Sequence, residues 1–261
     1  MIKRIAIGCL ILAAGLFYFT SHHSAQAISG ANWRAGRIID DIIFTNKNDM
    51  NPDQIQQFLN RMVGTSSNGR IAGQCDTNGV ATSELGGGTR AQYGAAHGNP
   101  APFTCLKDYY EVPKTSPGPG IPANNYGGAP VPAGARSAAQ LIWDAGQAYN
   151  INPKVLLVMI QKESAGPLIV DDWPFLSQYT YAMGAHCPDT APCDSNYAGF
   201  SIQISESAAL LRYYLDNMNQ PWWPYKRVGV NNILYNPSSS CGSSNVNVES
   251  MSTAALYTYT P

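Results

Sequence analysis

Apolar residues recur every three to four positions along four stretches of this chain, and the first three open on a helix-starting signature. Asn51-Pro52-Asp53 supplies an N-cap, a proline at the first helical position and an acid in the first turn. Ile55, Phe58, Leu59 and Met62 then fall on one face, and the pattern stops near Gly64. Ser137 and Gln140 make a capping box ahead of Leu141, Ile142, Ala145 and Ala148, which predicts a helix to about Tyr149. Asn152-Pro153 opens the next helix, whose buried stripe is Val155, Leu156, Met159 and Ile160. A further helix starts near Ser205 and carries Ala208, Ala209, Leu211, Leu215 and Met218. Ile38–Phe44 reads as a short strand, and residues 64–100, rich in Gly, Ser, Thr and Asn, as loop. Residues 113–136 are rich in Pro, Gly and Ala and read as a linker or extended belt. The expected organisation is mainly α: a helical domain over 137–261, that linker, and a small α/β or irregular region over 28–112. No internal repeat is visible.

The first 27 residues read differently. Met1–Arg4 is basic, Ile5–Phe19 is an apolar run, and a polar stretch ends in Ala25-Gln26-Ala27. This is the layout of a secretory signal peptide cleaved after Ala27, and the run is short of the roughly 20 residues that span a bilayer. The mature chain is therefore expected outside the cell, with no stable membrane span. Losing Lys3 and Arg4 takes the net charge from −1 to −3, which argues against a nucleic-acid partner. Charged residues are 13% and hydrophobic residues 44%, too apolar a balance for a disordered chain. Export also makes disulfides the first reading of the cysteines. Cys75 and Cys105 flank a Gly/Thr-rich loop they could close, and Cys187 and Cys193 lie in one Pro-containing loop. Cys241 is left over or competes for one of them. Zinc at His186, Cys187, Cys193 and Asp194 is disfavoured because no second closely spaced pair accompanies them. A cysteine peptidase using Cys105 and His97 is disfavoured by the same compartment argument. No metal or cofactor is expected, and the protein is expected to be a monomer.

The chemistry is expected at Glu163. It lies four residues past Met159 and three past Ile160, on the buried stripe of its helix and in the last turn. Desolvation and the negative end of the helix dipole both disfavour a charged carboxylate there. A protonated carboxyl is what a glycosidic leaving group needs from its general acid. The plain alternative is a surface or salt-bridged glutamate at a helix end.

Ile160-Gln-Lys-Glu163-Ser164 resembles the helix end of the lysozyme-like superfamily, in particular the soluble lytic transglycosylases and goose-type lysozymes. The resemblance implies a lysozyme-like domain with Glu163 as the indispensable acid, supported by Ser164. Tyr197-Ala-Gly199-Phe200-Ser-Ile-Gln203 resembles their Gly-Leu-Met-Gln turn, although the Gly199 to Gln203 spacing is one residue wider. Residues 49–60, 103–109, 182–194 and 235–242 are similar to a family of secreted bacterial wall-associated proteins assigned to that fold. In that family the helix usually ends Gln-Lys-Glu-Gln, so Ser164 departs from it. These resemblances imply a secreted enzyme that cleaves the β-1,4 bond between N-acetylmuramic acid and N-acetylglucosamine in peptidoglycan glycan strands. The competing expectation is a non-catalytic wall-binding or adhesion protein that keeps the fold.

A hydrolase would need a second carboxylate. Asp171 and Asp172 are the nearest candidates after the helix, with Asp189, Asp194 and Glu206 further along; loop aspartates more often serve turns. Gln203 could hold a substrate amide or Glu163, or make a helix-entry hydrogen bond. Aromatic side chains concentrate after Glu163, and sugar faces pack on aromatic faces. Trp173, Tyr181, Tyr197, Gly199 and Phe200 are the candidate substrate-binding positions, with core packing as the alternative for the rings. Trp222 and Trp223 remain open between these roles.

Overall fold

A computed structural model describes residues 30–64, 73–75, 88–97, 104–113, 121–122, 133–164, 166–189 and 191–260. The expected signal peptide and most of the expected linker lie outside the described residues. The chain divides into two units, residues 1–34 and 35–261. The described part of the first holds one turn of 3-10 helix, Gly30–Asn32. The second is mainly α, with eight α-helices and two small antiparallel sheets among its described residues.

The helices α1 (Asp41–Phe44), α2 (Pro52–Met62), α3 (Arg90–Ala96) and α4 (Ala138–Tyr149) come first, followed by α5 (Pro153–Glu163), α6 (Leu176–Thr180), α7 (Phe200–Asn217) and α8 (Met251–Tyr259). One core joins Ile55 and Leu59 of α2, Ile142 of α4, Leu156 and Ile160 of α5, Ile204 and Leu211 of α7, and Ala254 of α8. The starts of α2, α4 and α5 follow their sequence signatures. Asn51 and Gln54 exchange both capping-box bonds, and the Ser137 side chain accepts from the Gln140 N–H at 3.2 Å. At α5, the fully buried Asn152 accepts from Lys154 N at 2.9 Å and donates to the Ile43 carbonyl and the Asp49 carboxylate.

Asp49 also pairs with Lys154 at 2.9 Å. The bonds from Lys154 and Asn152 hold its carboxyl below the ordinary value of 3.8. A carboxyl depressed on folding adds stability that is complete above its unfolded value and disappears as the pH falls through its folded value. Acid melting of the wild type is therefore expected to include a loss below about pH 4 that Asp49→Asn removes, read as the difference in their melting temperatures between pH 5 and pH 2.

Three expectations need correcting. Ile38–Phe44 is not a strand: its last four residues form α1, and Ile42 and Ile43 point outward while Phe44 is buried. The run is too short to set a period and is interrupted by Asp40 and Asp41, and Asp41 ties it to α8. Its Oδ1 accepts from the Ser252 N–H (2.7 Å) and hydroxyl (2.6 Å) at the start of α8. The expected loop over 64–100 contains α3, opened by a Thr89–Gln92 capping box. Helix α7 starts five residues earlier than expected, at Phe200. The linker region contributes two short strands: β1 (Tyr110–Val112) is flanked antiparallel by β2 (Ile121–Pro122) and β3 (Arg136–Ser137).

A second sheet, β4 (Gly229–Leu234) with β5 (Ser243–Val248), is an antiparallel hairpin running from Gly229 opposite Val248 to Leu234 opposite Ser243. The 35–36 segment packs tightly on its end. The Gly36 carbonyl accepts from Glu249 N at 2.7 Å, and a Cβ on Gly36 would lie 2.1 Å from the Asn247 carbonyl oxygen. Because that obstacle is backbone, Gly36→Ala is expected to destabilise the fold by about 1–3 kcal/mol in urea unfolding.

Candidate functional site

Glu163 is the last residue of α5, whose inner face is packed into the core through Leu156, Met159 and Ile160. Its side chain is 18% exposed. Oε1 accepts from the Lys162 ammonium at 2.6 Å and from the Thr260 hydroxyl at 2.8 Å, and Lys162 also reaches that hydroxyl at 3.1 Å. Oε2 makes no hydrogen bond to any described residue. The carboxylate is thus partly shielded, anchored by one oxygen and open at the other.

Thr260 follows Tyr259, the last residue of α8. The Tyr259 phenol donates to the Met183 carbonyl at 2.7 Å, which leaves the Ser207 hydroxyl to donate to it at 2.6 Å. Burial pushes this phenol well above the ordinary tyrosine value; the Ser207 bond offsets part of the rise, and the nearby charge of Glu163 adds to it. Tyr259 is therefore a protonated donor throughout the neutral and moderately alkaline range.

Tyr259 also lines an open cleft of about 610 Å³, together with His186, Pro188, Asp194, Tyr214 and Tyr225. Tyr214 and Tyr225 both lean on the buried ring of Trp223, with centroids 5.7 and 5.0 Å away. Trp223 is thus the footing of the aromatic wall, while Trp222 is exposed. The rim is a loop closed by a Cys187–Cys193 disulfide.

His186 stands at the start of that loop with φ of +57°, a left-handed conformation uncommon for residues with a side chain. Its carbonyl accepts from Asp194 N at 3.0 Å, its ring stacks on Tyr197 with centroids 3.5 Å apart, and Nε2 lies 3.2 Å from Glu206 Oε2. Beneath it, the fully buried Gln203 fixes both approaches to the loop. Its Oε1 accepts from Met183 N and Ala185 N, and its Nε2 donates to the carbonyls of Ala185 and Tyr197.

The remaining expected site residues fall into two groups. Tyr197 stacks on the cleft residue His186 but is itself outside the described cleft lining. Tyr181 ends α6 and is half-buried, outside the described cleft lining. Gly199 has φ of +122° and forms the turn into α7, donating to the Thr180 carbonyl at 2.8 Å. Phe200 and Trp173 are buried in the interior, Phe200 edge-on to Tyr109 and Tyr179. The Ser164 hydroxyl faces the carbonyls of Ile160 and Gly166 and accepts from Leu168 N, so it shapes the end of α5. Asp171 accepts from Trp173 N at 2.9 Å and Gln178 Nε2 at 3.3 Å, and Asp172 is buried. Neither aspartate is among the described residues lining the cleft.

Both expected cysteine pairs are bonded, Cys75 to Cys105 and Cys187 to Cys193, with Cys241 exposed and outside them. Cys75, Cys105 and Asp108 offer ligand atoms within 4.8 Å of one another, but the two sulfurs are tied up in their disulfide.

Sequence reasoning missed His186 as a cleft residue and Glu111 altogether. Glu111 is fully buried in β1 and accepts from the Tyr109 hydroxyl at 2.8 Å, Ser201 N at 3.1 Å and the Ser201 hydroxyl at 2.6 Å. A lone glutamate in a short strand gives no signal of this; a carboxylate meeting the first turn of a helix is a tertiary arrangement. No protein-family model, curated protein or solved structure matches the chain.

Proposed function

We propose that this chain is an exported, lysozyme-like, glycan-cleaving protein that breaks the β-1,4 bond between N-acetylmuramic acid and N-acetylglucosamine, with Glu163 as general acid. The observation that carries this reading is the state of Glu163. It ends a core helix, is mostly shielded, is held by one carboxylate oxygen, and adjoins the Tyr259–Thr260 segment whose tyrosine walls the cleft. In this reading the proton leaves from Oε2, the oxygen without a described partner. Lys162 is 57% exposed, so its ammonium can exchange the ion pair for water when Glu163 takes up that proton. The two disulfides support a life in an oxidising compartment. Among the described residues no helix is long and apolar enough to cross a membrane.

A second reading, a wall-binding module without turnover, is favoured by one specific arrangement. Glu163 is not among the described residues lining the cleft, while Ser164 and Gln203 spend their polar atoms on backbone. Incubating the protein with peptidoglycan and analysing the soluble fraction by mass spectrometry separates the two. Anhydro-muropeptides are expected from a transglycosylase and new reducing ends from a hydrolase. Pelleting with the wall but releasing no fragments supports the binding module.

A further inference from the structure

We propose that His186, oriented by Glu206, is a second acid–base residue of this protein, acting as the base on a ligand hydroxyl in the tyrosine-lined cleft. The inference rests on the glycan-cleaving reading and supplies the group which that reading lacks, since Asp171 and Asp172 are committed elsewhere or buried.

The argument is one of construction. Four independent devices hold one imidazole: the disulfide-closed loop, the left-handed turn, the face-to-face stack on Tyr197, and the carboxylate of Glu206. The buried Gln203 braces the backbone on both sides of it. Strained backbone held in place by its surroundings recurs at functional sites, and histidine is among the residues that enter this region most readily. With Nε2–H given to Glu206, the lone pair of the neutral ring is on Nδ1, and Nδ1 has no hydrogen-bond partner among the described residues. The ring is about one-third exposed, on the cleft wall that also holds Tyr259, and Thr260 next to Tyr259 bonds Glu163.

The step balances. Glu163 gives its proton to the glycosidic oxygen, and the C1–O bond breaks with its electron pair going to that oxygen. His186 takes the proton of the attacking hydroxyl as that oxygen bonds to C1. Water as attacker leaves a reducing end, and the sugar's own C6 hydroxyl leaves a 1,6-anhydro ring. The imidazolium then returns its proton through solvent to the Glu163 carboxylate. The titratable groups around the ring are Glu206 and Tyr214 from α7, Asp194 and Tyr197 from the loop, Tyr225 beyond α7, and Tyr259 from α8.

The test compares wild type, His186→Asn, Glu206→Gln and Glu163→Gln for fragment release from peptidoglycan and for pelleting with it. Asparagine tolerates the left-handed backbone but cannot take the proton, and equal melting curves show that the fold is kept. His186→Asn is expected to pellet as wild type and release fragments about a hundredfold more slowly. Glu206→Gln removes the carboxylate that orients the ring, so kcat for release is expected to fall with pelleting and melting unchanged, whereas loss of a merely structural Glu206 would lower the melting temperature instead. Unchanged release by His186→Asn, with Glu163→Gln inactive, overturns the role of His186 and leaves the glycan-cleaving reading standing. The converse pattern, loss in His186→Asn but not in Glu163→Gln, supports His186 and overturns Glu163. A wild type that releases nothing overturns both.

Discussion

Glu163→Gln is expected to lower the release of soluble muropeptides by about 10²–10⁴-fold, the range by which a positioned general acid speeds its reaction. Glutamine keeps the length and planarity of the side chain, and its amide oxygen still accepts from Thr260 as Oε1 does now. What it loses is the transferable proton and the ion pair with Lys162. That pair has an exposed lysine, so its loss contributes about 0–1 kcal/mol. The melting curve should therefore stay close to wild type while turnover collapses, and pelleting should persist. A variant that unfolds does not meet this expectation, and neither does one that releases fragments at the wild-type rate. Quantified release by mass spectrometry, run beside circular-dichroism melting, reads both quantities.

The largest stability effect is expected at Glu111. Glu111→Leu removes the acceptor of three buried hydrogen bonds, two from Ser201 at the first turn of α7 and one from Tyr109. Each buried donor that loses its acceptor costs about 1–3 kcal/mol. The loss falls where β1 meets α7, beside the Tyr109–Tyr179 stack at 4.2 Å and the edge contact of Phe200. A total of about 3–5 kcal/mol is expected in urea unfolding, from three donors left without their acceptor less what the buried leucine contributes. Glu111→Gln keeps an acceptor oxygen and should recover part of that loss. Equal stability of the leucine variant and wild type would show that the three bonds contribute nothing net.

The contrast between these two glutamates shows what the sequence could and could not convey. Glu163 was legible because it extends a helical stripe that Asn152-Pro153 starts and Val155, Leu156, Met159 and Ile160 define; helix period alone places it at the end of a core helix. Its pairing with Lys162 was not, because adjacent residues on a helix do not face each other. Only in the last turn, with Thr260 drawing both groups together, do they meet. Glu111 carries no periodic signal, and its partners are supplied by Ser201, ninety positions on. His186 depends on a backbone sign and on Glu206 in another element, neither of which local pattern encodes.

The same holds for the fold. Helices α2, α4 and α5 were legible from caps and stripes, because those signals are local. The β4–β5 hairpin was not, because Asn231, Asn232, Asn245 and Asn247 occupy paired positions where strands usually carry β-branched residues. Gly199 and Phe200 were singled out as possible ligand contacts because the turn into α7 resembles a cleft motif. The structure uses them to steer the chain and to fill the interior.

The Cys187–Cys193 ring makes the preparation history of a sample part of its chemistry. Production in a reducing cytosol, or storage with a thiol reagent, is expected to open that ring and free the backbone on which the imidazole stands, and to open the Cys75–Cys105 bond with it. Periplasmic or secreted production, with a free-thiol count before each assay, keeps preparations comparable.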